Sequence, residues 1–220
     1  MTSSTSRIAA VGLAGAGLLL GLGGVLHPRV DSSADFEQGL AGMFESAAWV
    51  GSHGLTLAGF LLAAVALAVL VRNLEHPRLR VLGWAAAAGA AVGAVESVPH
   101  LLAGSEADAL LAGESTPLTD LHTVLQAIAT PAVGLSVAAL AVACARSRAL
   151  GSGRIAAAVA LVGGVAFALA GPAIAITENS ALSPLFAGSA GLSIWFVVSG
   201  VATARRLSEP DPRLGMAPAR

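Results

Sequence analysis

The sequence contains no lysine and no tyrosine, and it has a single cysteine, Cys144. One cysteine cannot close an internal disulfide, and no Cys-x-x-Cys or Cys/His spacing of a zinc site occurs. Charge is equally scarce. Only 11% of the 220 residues are charged, against about 25% in ordinary soluble domains. So few charges cannot cover the surface of a soluble protein of this length. The formal net charge of −1 gives no electrostatic footprint for nucleic acid.

Apolar residues fill the space that the charges leave. They make up 55% of the chain, and the mean hydropathy is +0.79. They also come in long blocks, which marks membrane spans rather than a buried core. Six blocks are visible, at Ile8–Leu26, Ala47–Val71, Val81–Ala103, Leu121–Cys144, Ile155–Thr177 and Leu182–Ala204. Each is long enough, at about 1.5 Å per helical residue, to cross a hydrocarbon core of about 30 Å. The runs of Leu, Ala, Val and Gly show no period-2 alternation, so helices are expected and strands are not. The predicted fold is all-α: a polytopic membrane bundle of six transmembrane helices in one domain over residues 1–207. A polar, proline-rich cytoplasmic tail, 208–220, is expected to be disordered. The first block has the charged start of a signal peptide but no small-x-small cleavage site, and is read as a retained helix.

Arginine sets the expected orientation. Arg7 precedes the first block. Arg72, Arg78 and Arg80 lie between the second and third, and Arg146, Arg148 and Arg154 between the fourth and fifth. Arg205, Arg206, Arg213 and Arg220 follow the sixth, and only Arg29 falls on the other side. The positive-inside rule then places both termini in the cytoplasm and the protein in the plasma membrane. The helices pair as three hairpins joined on the outer side. The outer loops 28–46 and 104–120 either carry short interfacial helices, with Leu40, Met43, Phe44, Leu110 and Leu111 as apolar anchors, or are flexible acidic loops.

The first two hairpins share a pattern. Each closes between a pair of histidines, His27 with His53 and His100 with His122. Counting about 20 residues outward from Arg7, Arg72 and Arg80 puts His27, His53 and His100 about 30 Å from the inner boundary. His122 falls slightly higher by the same count from Arg146. Glu96 lies just beneath, inside the hydrocarbon region, where an acid is costly and by default marks function. It precedes His100 by one helical turn, and Gly89 and Gly93 continue that face inward as a GxxxG pair suited to close helix packing. His122, Gln126 and Thr130 form a stripe on the fourth block. Trp49, His53 and Thr56 share a face of the second. Pro131 and Pro172 are expected to kink or locally unwind their helices. Glu178 is expected to be an exposed loop acid, and Trp84 and Trp195 belt or packing residues.

Imidazoles at one level on four helices predict a cofactor site: haem b with axial histidines, or a transition metal held by histidine with Glu96 grouped with His53 and His100. Gln126 and Thr130 would support it. A redox or electron-transfer role follows, with quinone or other subunits of a membrane complex as partners besides the bilayer. Two other readings compete. One is a small proton-coupled carrier with Glu96 as the titrating group. The other is a structural accessory subunit, the histidines being interfacial packing residues. In helix number and in paired histidines on different helices, the chain resembles small six-helix b-type cytochromes. The resemblance covers no contiguous motif. It departs from the two-haem members, which hold haem near both faces, because these histidines gather near one.

Overall fold

A computed structural model describes residues 3–29 and 34–208. Eight α-helices follow in order: α1 Ser3–Leu26, α2 Phe36–Phe44, α3 Trp49–Val71, α4 Pro77–Ala103, α5 Ala107–Leu111, α6 Pro117–Ser147, α7 Arg154–Thr177 and α8 Ser189–Arg206. No strand occurs among the described residues. The segments carrying α1, α3, α4, α6, α7 and α8 are each long and apolar enough to cross a membrane, which points to a multi-pass membrane protein. Of the tail, only Ser208 is described, so its expected disorder lies outside the described residues.

Most helices outrun the hydrophobic blocks. Pro77 and Pro117 stand at the first turns of α4 and α6, where a missing N–H costs nothing and the fixed φ favours a helical start. The sixth block differs at its beginning. Residues Ser180–Gly188, with Pro184 inside, form a tighter 3-10 helix before α8 starts at Ser189. Proline supplies no N–H for an α-type bond, and such short tight turns are common where an α-helix begins. Helices α6 and α7 run through Pro131 and Pro172 without an unwound turn. Neighbouring helices tolerate such prolines in apolar bundles.

The six long helices form a closed ring. Each packs on its neighbours in the chain, α1 on α3, α3 on α4, α4 on α6, α6 on α7 and α7 on α8, and α8 packs back on α1. Small residues permit the approach. A Cβ at Gly89 would lie 2.6 Å from the carbonyl oxygen of Ala132, so α4 and α6 nearly touch there. Gly134 and Gly164 face each other's carbonyls across α6 and α7 in the same way. The core is Ala, Leu, Val and Phe, with Leu13, Leu67, Val137, Leu140, Trp195 and Phe196 fully buried. Ile8, Val25, Ile155 and Ile176 point outward and are more than two-thirds exposed, as expected of a surface facing lipid.

The two ends of the bundle differ. At one, arginines line the connections. Arg206 donates to the carbonyl of Arg148 at 3.1 Å, Asn73 to Ser6 at 2.8 Å, and Arg72 lies 6.0 Å over the Trp84 ring. Trp84 is half-exposed there, whereas Trp195 is buried and donates to Ser152 at 2.9 Å, a packing role. Glu178 is exposed at the end of α7. The four histidines of the paired blocks occupy the opposite end.

That end carries a cap, so both long loops do contain short helices. Asp35 caps α2 by accepting from the amide of Gln38 at 2.8 Å. Helices α2 and α5 then bury Met43, Phe44 and Ala107 against Trp49 and Ala103, with Leu40, Leu110 and Leu118 around them. Glu106 ties the cap down. Its carboxylate accepts from the amides of Leu118 and Thr119 at 3.0 and 2.8 Å and from the Thr119 hydroxyl at 2.8 Å. A carboxylate at a helix N-terminus satisfies free donors and opposes the helix dipole. Glu106→Ala should therefore loosen this corner by about 1 kcal/mol. Amide exchange over residues 104–120 checks it: the variant should exchange faster there and nowhere else.

Candidate functional site

The site begins with four imidazoles that the ring of helices brings together. His27 ends α1, His53 lies in the first turns of α3, His100 near the end of α4, and His122 near the start of α6. Up-and-down connection makes these four ends neighbours. His53 and His122 are buried at 2% and 7% exposure, and His27 and His100 are partly exposed. Ring centroids lie 4.7 Å apart for His27 and His53, 4.2 Å for His53 and His100, and 3.6 Å for the stacked pair His100 and His122.

Hydrogen-bond partners fix the tautomers of His27 and His53. His27 Nδ1 lies 2.6 Å from the carbonyl of Pro28, and His53 Nδ1 lies 2.7 Å from the carbonyl of Trp49. A carbonyl can only accept, so both Nδ1 atoms carry hydrogen and both Nε2 atoms present a bare lone pair. Glu96, 7% exposed, sits between α4 and α6. Its Oε1 lies 3.2 Å from His100 Nδ1 and 2.7 Å from His122 Nδ1. His122 Nδ1 donates to that oxygen, and His100 Nδ1 lies at ion-pair distance from it. The Gln126 amide then donates to His122 Nε2 at 3.3 Å.

His53 Nε2 and His100 Nε2 face each other at 3.1 Å. With its Nδ1 hydrogen on the Trp49 carbonyl, His53 can only accept here, so His100 Nε2 donates to it when it carries the ring hydrogen. When that hydrogen lies on Nδ1 toward Glu96 instead, the two lone pairs converge, and a shared proton or a metal ion fits between them. Two nitrogens on one tetrahedral zinc-like centre, each about 2.0–2.1 Å from it, stand about 3.3 Å apart, close to the spacing here. One nitrogen each from His27, His53 and His100 lies within 4.8 Å of the others, and a second such group comprises Glu96, His100 and His122. In the first group every ring is steadied from behind by an oxygen on Nδ1, which is how metal-binding histidines are usually held.

Trp49 closes the side toward the cap. Its ring centroid lies 3.8 Å from that of His53, 5.3 Å from His100 and 6.0 Å from His27, and its Nε1–H donates to the carbonyl of Leu101 at 3.0 Å. Ser52, also buried, donates to the Trp49 carbonyl at 3.0 Å. Trp49 was legible only as a face-mate of His53. Its place over three imidazoles depends on α2 and α5, which no motif announced.

Two groupings differ from the expectation. Glu96 falls with His100 and His122, and it reaches His53 only through His100, because α6 and not α3 lies against its side of α4. Thr130 takes no part in the cluster. Its hydroxyl donates to the carbonyl of Gln126 at 2.9 Å and packs against Gly171 of α7. Gly89 does abut α6, while Gly93 packs against the ring of Phe60 on α3. The chain matches no protein-family model, no curated protein and no solved structure.

Proposed function

We propose that this chain is a metal-binding protein of the plasma membrane, holding one transition-metal ion at its outer end through Nε2 of His27, His53 and His100. The observation that carries the reading is the convergence of one nitrogen each from His27, His53 and His100 within 4.8 Å, with the Nε2 atoms of His53 and His100 3.1 Å apart. Glu96 and the carbonyls of Pro28 and Trp49 orient the ligands. The arginine-lined end is taken as cytoplasmic by the positive-inside rule, which puts both termini inside and the site outward. Residues 1–207 act as one transmembrane domain.

A metal ion fits this packing better than haem b. Axial ligation by two imidazoles would set their nitrogens about 4 Å apart on opposite sides of a macrocycle. Here the two Nε2 atoms are closer, and His122 and Trp49 occupy the ring faces of His100 and His53. Electron transfer and a quinone partner therefore lose their main support, and metal binding remains. The carrier reading needs a polar route past Glu96, and the core on that route is Leu13, Leu67, Val137 and Leu140. The accessory-subunit reading gives no purpose to three imidazole nitrogens gathered within 4.8 Å.

Metal analysis tests the proposal. Full-length protein, purified in detergent, stripped with chelator, reloaded with copper or zinc and desalted, should retain about one ion per chain. Retention no greater than that of a desalted metal-free control would dismiss the site. A second readout comes from Trp49. A paramagnetic or heavy ion beside His53 should quench that tryptophan and leave Trp84 and Trp195 bright. Trp49→Phe should therefore abolish the quenching, and Trp84→Phe should leave both the quenching and the metal retention unchanged; quenching that survives the first substitution would place the ion elsewhere.

A further inference from the structure

The atoms that converge on the site are all neutral. His27, His53 and His100 each offer an imidazole nitrogen, and among the described residues no carboxylate or thiolate is grouped with all three. Glu96 contributes its charge from behind, on the far nitrogen of His100. It is the one buried acid among the described residues. Among the described residues, Arg29 and Glu45 near this end are exposed, and Glu106 is tied to the start of α6.

From this geometry we propose that the ion is monovalent copper, Cu(I), with Glu96 as its counter-charge rather than its ligand. The inference rests on the metal-binding reading above. Its physical basis is the way charge scales. The cost of taking an ion out of water rises with the square of its charge, whereas its attraction to one carboxylate rises only linearly. One carboxylate therefore neutralises a monovalent ion and leaves a divalent ion with a net positive charge in a low-dielectric place. At an effective dielectric of about 20, a unit charge about 6 Å away is worth about a hundredfold in affinity for a monovalent ion.

Coordination agrees with charge. Three imidazoles satisfy Cu(I), while Zn(II) normally completes a tetrahedron with a fourth ligand. The Trp49 ring lies on the face of His53 and within 6.0 Å of all three imidazole rings, so it crowds the space beside them. A tryptophan face is a poor donor of oxygen or nitrogen but a good neighbour for a cation. Alkali and alkaline-earth ions are excluded because they require oxygen ligands. The partly exposed rings of His27 and His100 mark the side from which the ion arrives.

The test uses full-length protein in detergent. Cu(I) is titrated under ascorbate against bicinchoninate, and Zn(II) against a zinc-chelating dye. The site should hold one Cu(I), bind Zn(II) more weakly, and leave the copper silent in electron paramagnetic resonance after exposure to air. Gln126→Glu adds a second carboxylate beside His122, and should move the Cu(I)/Zn(II) ratio about tenfold toward zinc. If that variant does not fold, the ratio and the resonance signal of the unsubstituted protein decide alone. Zn(II) bound as tightly as Cu(I), or a Cu(II) signal in air, with both ions lost in His53→Ala, would overturn the Cu(I) assignment and leave the metal site standing. Failure to bind either ion, or copper that survives His53→Ala and is lost in Cys144→Ala, would remove both.

Discussion

Replacing His53 with alanine is expected to abolish metal retention, from about one ion per chain to under about a tenth of that, because two of three ligands cannot hold an ion against dilution. His53 is the ligand best suited to the test. It is 2% exposed, its Nδ1 is anchored on the Trp49 carbonyl, and its Nε2 faces His100 directly. The substitution also leaves a cavity under Trp49, which on the scale of aromatic truncations costs about 3 kcal/mol of stability. Loss of metal could then follow from loss of structure. His100→Asn separates the two, since His100 is partly exposed and asparagine keeps a polar group near Glu96. It should lose the ion with little change in thermal midpoint. Retention of the ion by both variants would show that these imidazoles are not its ligands.

The largest structural effect is expected at the crossing of α6 and α7. Gly134 and Gly164 each lie against the other's carbonyl, with Ala138 and Ala168 beside them. Gly134→Leu has no room there and must push the two helices apart. Overpacking of this kind costs about 1–3 kcal/mol, and more where backbone is the obstacle. The variant should lose several degrees of thermal midpoint in detergent. Gly153→Ala, at a position open to solvent, should lose nothing comparable. Equal midpoints for the two would mean that the helices do not meet as described.

Much of the architecture was readable because it rests on one-dimensional signals. A span of the membrane needs about 20 apolar residues, and six blocks supply that length. Counting from the arginines placed His27, His53 and His100 at one depth, and their rings do meet. The same count puts His122 slightly above the other three, and its Nδ1 lies 2.7 Å from Glu96, a contact that a count of residues does not show because it ignores how α6 sits beside α4. The grouping of Glu96 with His53 failed for a related reason. Spacing identifies the face a residue shares within its own helix, and not which neighbour stands opposite. Thr130 kept the helical spacing of His122 and Gln126 but bonds to its own backbone. The cap was legible as Leu40, Met43, Phe44, Leu110 and Leu111 among acids, yet its fixing by Glu106 joins residues 12 and 13 apart through a turn that no motif marks. The close approach of His53 and His100 at the centre was not legible at all. It appears only once α3 and α4 are seen side by side.

X-ray absorption on the copper-loaded protein tests the central claim most directly. Histidine ligation predicts three nitrogen scatterers at about 2.0 Å, with the outer-shell pattern of imidazole rings and no sulfur, and a loss of that pattern in His53→Ala. A sulfur scatterer from Cys144 or a methionine, or a shell of oxygens without imidazole features, would contradict it.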